Sequence, residues 1–249
     1  MSIQLHEAAP YLIEQDYSRY TPEQHQLWSE VVSRRITQLR QCACREFLDG
    51  WETIGIEPDR MPDLARISAR IEARTGWRVT PVSGFMPSRA FFEMLAARQF
   101  PTTTWIRERS SVDYIPEPDV IHDALGHLPM YADRVFSDAV QQYGEICYAV
   151  NDEKALERMG RLYWFTVEFG LIKQGGMHKI YGSGLASSHG ECTNVLNGGC
   201  EVRDFDLDEV LNTPVKVDVM QPVLYSVESF EQVFDAIQRA RERVQSSAV

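Results

Sequence analysis

The segment "RLYWFTVEFGLI", residues 161–172, is apolar on nearly every face of a helix and carries one carboxylate in its middle. Leu162, Tyr163, Trp164, Phe165, Val167, Phe169, Leu171 and Ile172 flank Glu168, so a helix built from them has no broad polar face to give to water and is predicted to be buried. An ionised carboxylate in such surroundings is costly unless a cation lies against it. Two partners satisfy that requirement, an arginine in an ion pair or a metal ion.

Candidate metal ligands lie upstream, in "EPDVIHDALGHLPMYAD", where His122 and His127 stand five residues apart. Histidines four apart, as in the HExxH helix of zinc proteases, sit about 40° from each other around a 3.6-residue turn. Five apart, they sit about 140° round and reach a common ion only if the α-helix stops between them. Gly126 and Pro129 supply that stop, placing His122 in a last helical turn and His127 just beyond it. With Glu168 they would form a two-histidine, one-carboxylate set, which leaves three positions of a non-haem Fe(II) open. The competing reading pairs Glu168 with an arginine and leaves both imidazoles as hydrogen-bonded core or surface groups. A zinc hydrolase is a more distant alternative, opposed by the five-residue spacing and by the lack of a glutamate directly after His122.

Elsewhere helical signals dominate. Thr21 and Pro22 open a helix whose stripe is Leu27, Val31, Ile36 and Leu39, and "MPDLARISARIEARTG" repeats the pattern with Asp63 early and Gly76 closing. "WRVTPV" reads as a short strand, "PSRAFFEMLAARQF" as helix and "TTTWIRER" as extended chain. "ADRVFSDAVQQYGEICYAV", "DEKALERMGRLYWFTVEFGLIKQGG" and "GLASSHGECTNVL" read as helices, with "HKIYGSG" as strand and turn. "TPVKVDVMQPVLYSV" suggests two strands, and a terminal helix follows, capped by Ser226 or Ser229. The predicted class is mainly α with small strand pairs, α+β rather than doubly wound α/β.

A net charge of −11 opposes nonspecific contact with nucleic acid or an anionic membrane, so a small-molecule partner fits better. No apolar run nears a membrane span and the start "MSIQLHEAAPYLIEQD" lacks a signal-peptide pattern, which predicts a cytoplasmic protein. Cys42, Cys44, Cys147, Cys192 and Cys200 lack zinc-ribbon spacing and are expected as reduced thiols. No linker or low-complexity tract divides the 249 residues, which favours a single domain.

In "PEPDVIHDALGHLP", "YWFTVEFGLIKQG" and "YGSGLASSHGE", taken in that order, the chain closely resembles the pterin-dependent aromatic amino acid hydroxylases. The resemblance runs from "YTPEQHQLW" to "QPVLYSVESF", and "FLDGWETIG" and "RTGWRVTPVSGFMP" look like the compact bacterial phenylalanine hydroxylases. It implies a basket-like, mainly helical catalytic domain that uses Fe(II), a tetrahydropterin such as tetrahydrobiopterin, and O2 to hydroxylate the ring of an aromatic amino acid, phenylalanine to tyrosine. A tryptophan hydroxylase, or a phenylalanine hydroxylase with altered ring position, is the alternative. By resemblance His122, His127 and Glu168 are the catalytic iron ligands. Gly84, Phe85, Met86, Phe91, Asp123 and Tyr163 attend the pterin. Arg107, Ile115, Pro118, Trp164, Ser187, Ser188, His189 and Val217 attend the amino acid, with Arg107 as the bidentate clamp on its carboxylate and Ser187 supporting a ligand histidine.

Two positions depart from the family pattern. Ile115 replaces the threonine of animal members, and His189 stands where an apolar residue is usual, so its imidazole either enters the substrate pocket or faces away. His178 is expected on the surface. The regulatory domain and tetramerisation helix of larger members have no counterpart, which predicts a single catalytic domain over residues 1–249 acting as a monomer.

Overall fold

The computed structural model describes residues 5–112, 117–216 and 219–246. Helix α1, Pro22–Cys42, starts at a reciprocal cap in which Thr21 Oγ1 accepts from Gln24 N and Gln24 Oε1 accepts from Thr21 N. Its stripe is buried as the periodicity requires, and α2, Arg45–Ile54, follows at once, ending on Gly55 at φ 62°. Helix α3, Leu64–Thr75, is capped by Asp63 and closed by Gly76 in the left-handed conformation. After β1, Arg78–Val82, come α4, Ser88–Ala96, and β2, Gln99–Thr103, which pairs parallel with β1.

Two long helices carry the second half, α5, Arg134–Ala149, capped by Asp133, and α6, Glu153–Tyr163, capped by Asp152. Strand β3, Leu171–Gln174, turns back antiparallel into β4, Met177–Ile180. Then come α7, Ser183–Ser187, α8, His189–Leu196, β5, Glu201–Asp204, α9, Leu207–Asn212, β6, Val223–Val227, and α10, Phe230–Ser246. The second sheet has order β4-β3-β6-β5, with β6 parallel to both neighbours. A contiguous apolar core runs from Leu27 to Ala240, and a smaller cluster of Ala8, Val82, Met86, Ala90 and Met94 lies under the amino-terminal segment. The architecture is helical with small sheets, as expected.

The differences are local. "DEKALERMGRLYWFTVEFGLIKQGG" is not one helix, because β3 takes its last part and joins a four-stranded sheet instead of a strand pair. Of the two strands expected in "TPVKVDVMQPVLYSV", the described residues form only β6; Ser226 lies within it, and Ser229 accepts from Gln232 N at the start of α10. Ser188 divides the "GLASSHGECTNVL" helix by ending α7 and capping α8.

Candidate metal centre

Ile121–His127 is wound as a π-helix, and so is Trp164–Glu168, which continues directly from α6. The expected stop between the histidines is therefore replaced by a change of winding. In a π-helix residue i bonds to i+5, as Leu128 N does to Asp123 O at 3.3 Å and Phe169 N to Trp164 O at 2.8 Å, so residues five apart come round to nearly the same face. Five-residue spacing is thus the spacing that brings two histidines together in this winding. Gly126 does not take a positive φ. Its role is close approach: a Cβ there would meet Ser183 O at 2.8 Å, so the π-helix rests directly on the start of α7. Gly182 serves the other ligand, since a Cβ there would meet Glu168 O at 2.5 Å.

The two π segments converge. His127 Nε2 lies 3.2 Å from His122 Nε2 and 3.3 Å from Glu168 Oε1, and His122 Nε2 lies 3.6 Å from Glu168 Oε2. These separations suit three donors around one ion about 2 Å from each. The surrounding hydrogen bonds fix which lone pairs face inward. Ser187 Oγ donates to Ser183 O at 2.8 Å, so it accepts from His122 Nδ1–H at 3.0 Å, which assigns the lone pair to Nε2. Ser183 Oγ donates to Glu168 Oε2 at 2.6 Å, and the Phe100 ring lies 4.6 Å from that of His127. Burial holds His122 down at about 4, with Glu168 opposing and His127 adding to the shift. Burial alone would raise Glu168, but His127, His122 and the Ser183 hydrogen bond outweigh it and hold the carboxyl at about 2. A neutral imidazole and an ionised carboxylate are the forms that bind a metal. His122, His127 and Glu168 are the group among the described residues with such convergent donors. The arginine alternative for Glu168 is absent from its described contacts.

Next to this set, Asp119 is fully buried and accepts from His122 N at 3.1 Å, which caps the start of the helix. Its two oxygens also receive Arg107 Nη2 at 2.6 Å, Nε at 2.8 Å and backbone N at 2.9 Å. The Arg107 fork expected for a substrate carboxylate is therefore engaged by Asp119, and Nη1 donates to Val112 O at 3.2 Å. With three of five guanidinium N–H groups bonded, two remain for a ligand. Asp123 accepts from Thr103 N and Oγ1, both at 2.7 Å; burial raises it to about 6 against those hydrogen bonds.

Phe91 and Tyr163 meet edge to face at 5.7 Å, and the buried hydroxyls of Tyr163 and Tyr131 lack a hydrogen-bond partner among the described residues. Gly84 has φ 146°, Met86 is buried, and Phe85 is 80% exposed, pointing away from these contacts. Trp164 Nε1 donates to Gln221 Oε1 at 3.1 Å with its ring against Phe169, and half-buried Pro118 precedes Asp119. Ser188 accepts from Glu191 N as a cap. His189 Nδ1 pairs with Gln38 Oε1 on α1 at 3.1 Å, and exposed His178 pairs with Ser226. Ile115 and Val217 lie outside the described residues. Asp119, Ser183, Thr103 and Tyr131 were not anticipated from sequence; of these only Asp119 carried a signal, an aspartate three residues before His122 at a helix start.

The donor chemistry fits a resident metal, and the Tyr163 hydroxyl, on the ring that meets Phe91, leaves a polar group for a ring-shaped cofactor to meet. A phenylalanine-4-hydroxylase from Chromobacterium violaceum is 39% identical over 232 residues, covering 93% of this chain and 78% of that one. A bovine tyrosine 3-monooxygenase is 40% identical over 230 residues, covering 91% of this chain and 47% of that one, so identity alone does not choose between the two substrates. The crystal structure of the C. violaceum enzyme with bound iron(III) and the oxidised cofactor 7,8-dihydrobiopterin superimposes with TM-score 0.91 at 37% identity, covering 98% of this chain and 89% of that one. The family model for biopterin-dependent aromatic amino acid hydroxylases matches residues 10–247, and the chain belongs to that family.

Proposed function

We propose that this chain is an Fe(II)- and tetrahydropterin-dependent monooxygenase that uses O2 to convert phenylalanine to tyrosine. The observation that carries the reading is the convergence of His122, His127 and Glu168 in a chain that aligns over 93% of its length with a relative named phenylalanine-4-hydroxylase. Iron and a reduced pterin supply the electrons without which O2 does not react with a closed-shell aromatic ring.

The protein's own residues position and protect. His122, His127 and Glu168 would hold the ion through three donors, a set that would leave positions for other ligands. Ser187 keeps the His122 proton on Nδ1, and Ser183 steadies one oxygen of Glu168. Arg107, braced by Asp119, offers its two remaining N–H groups to the amino acid carboxylate, while Trp164 and Pro118 hold the ring. Phe91 offers a ring face to the pterin, with Tyr163 and Asp123 beside it. The net charge of −11 suits an amino acid substrate, not nucleic acid or membrane, and no described helix is long and apolar enough to cross a membrane. The continuous core supports a single catalytic domain, working as a cytoplasmic monomer. The test is product analysis of the iron-loaded chain with tetrahydropterin, O2 and phenylalanine, tyrosine or tryptophan supplied separately. Tyrosine formed from phenylalanine at the highest kcat/KM is expected; a faster conversion of tryptophan would overturn the substrate assignment.

A further inference from the structure

Outside the metal centre, α1 and α8 bring two cysteines together. Cys42 Sγ and Cys192 Sγ are 3.8 Å apart, both residues are buried, and they are 150 positions apart in sequence. A disulfide needs sulfurs about 2.05 Å apart, so a closure of roughly 1.8 Å separates contact from bond. Beside them lies Arg35, fully buried, with no carboxylate partner among the described residues. Its guanidinium donates to Ala186 O and Leu185 O at the end of α7, and to Gln38 Oε1. A buried cation without a carboxylate calls for another anion, and the nearby thiols are the ionisable groups at hand.

We infer that Cys42 and Cys192, with Arg35 as counter-cation, form a redox modification site that reacts with hydroperoxides and closes to a disulfide between α1 and α8. Cys192 is the attacking sulfur. Cys42 Sγ also donates to Gln38 O at 3.3 Å, which keeps a proton on that sulfur, while the contact with Cys42 and the Arg35 charge hold the Cys192 thiol below the ordinary cysteine range against burial. The Cys192 thiolate attacks one oxygen of the hydroperoxide, an S–O bond forms and the O–O bond breaks. The departing oxygen takes a proton and leaves as water or alcohol. Cys42 sulfur then attacks the sulfenic sulfur, its proton leaves with the hydroxyl as water, and the S–S bond forms. Two thiols are oxidised by two electrons in all, and one O–O bond is reduced by two.

The other thiols act as internal references. Cys44 Sγ accepts from Phe47 N within a helix cap, Cys147 is buried with its thiol raised to about 12, and Cys200 is half-buried. The experiment treats the metal-loaded full chain with a stoichiometric series of hydrogen peroxide, quenches with catalase, alkylates under denaturation and maps peptides without reduction. A Cys42–Cys192 cross-link that dithiothreitol reverses, formed before any change at Cys44 or Cys147, is expected. In Cys42→Ser, which cannot close the bond, dimedone should trap Cys192 as its sulfenic acid. Oxidation that reaches Cys200 first while Cys42 and Cys192 both remain alkylatable would overturn the inference, and so would a Cys42→Ser chain that folds and yields no adduct at Cys192.

Discussion

Replacing Asp119 by asparagine tests how the substrate and metal sites are joined. The change keeps the side-chain shape and removes a charge that is fully buried and accepts four hydrogen bonds, three from Arg107 and one from His122 N. Breaking a buried ion pair on one side costs about 3–5 kcal/mol, because the other charge is stranded. Asparagine caps about as well as aspartate, so the bond from His122 N adds little to the loss. A loss of about 3–5 kcal/mol would lower a urea midpoint by roughly 1–2 M at a slope near 3 kcal/mol/M. Function should fall by two routes. Arg107 loses the brace that aims its free N–H groups, so the amino acid KM rises, and the stranded Arg107 charge disturbs the packing beside the histidine-bearing helix, so iron is held about 10- to 100-fold less tightly. Arg107→Ala should destabilise similarly by leaving Asp119 unpaired, so its effect extends beyond KM. The double variant Arg107→Leu/Asp119→Leu should be more stable than either single Leu variant, since no charge is stranded. A midpoint shift below about 0.3 M in Asp119→Asn, with KM unchanged, would refute the coupling.

Ser187→Ala removes the acceptor that fixes the His122 tautomer, and iron affinity by metal titration should fall about 10- to 100-fold with little change in stability. Glu93 is fully buried and accepts from His6 N at 3.0 Å, Ala8 N at 2.9 Å and Tyr148 Oη at 3.2 Å; burial raises its carboxyl, but these bonds outweigh it and leave it lowered. A lowered folded pKa gives stability that is present above the ordinary glutamate range and lost as pH falls through the lowered value. Glu93→Gln should therefore cost about 1–3 kcal/mol near neutrality, and its gap from wild type in urea unfolding should narrow in acid. His189→Phe breaks the contact with Gln38 and, since that contact holds Nδ1 toward α1, should leave the ratio of kcat/KM for phenylalanine and tryptophan within about threefold; a larger change would place the imidazole in substrate selection.

Helix starts were legible because caps are local: Thr21 and Asp63 each bond a backbone N–H three residues on. The metal donors were legible because a carboxylate among apolar residues needs an explanation, and the nearby histidines offered one. Their winding was not. Five-residue spacing read on an α-helix demands a break, whereas packing on Ser183 and convergence with Glu168 select the π form. Strand β3 was hidden because a short apolar run has no period to separate it from the helix before it. Strand β5, "EVRD", is polar and gains its place only by pairing with β6, about twenty residues later. Asp119 as the brace for Arg107, and Ser183 for Glu168, are contacts between segments that meet only in the fold.

The most direct test is iron content measured with coupled turnover on the same samples of wild type, His127→Ala and Glu168→Ala. With all three donors the chain should bind one iron and make tyrosine in proportion to pterin oxidised. Each variant, left with two donors, should lose both iron and tyrosine formation. Tyrosine formation at the wild-type rate by an iron-free sample, or by either variant, would contradict the assignment of His122, His127 and Glu168 as the catalytic metal centre.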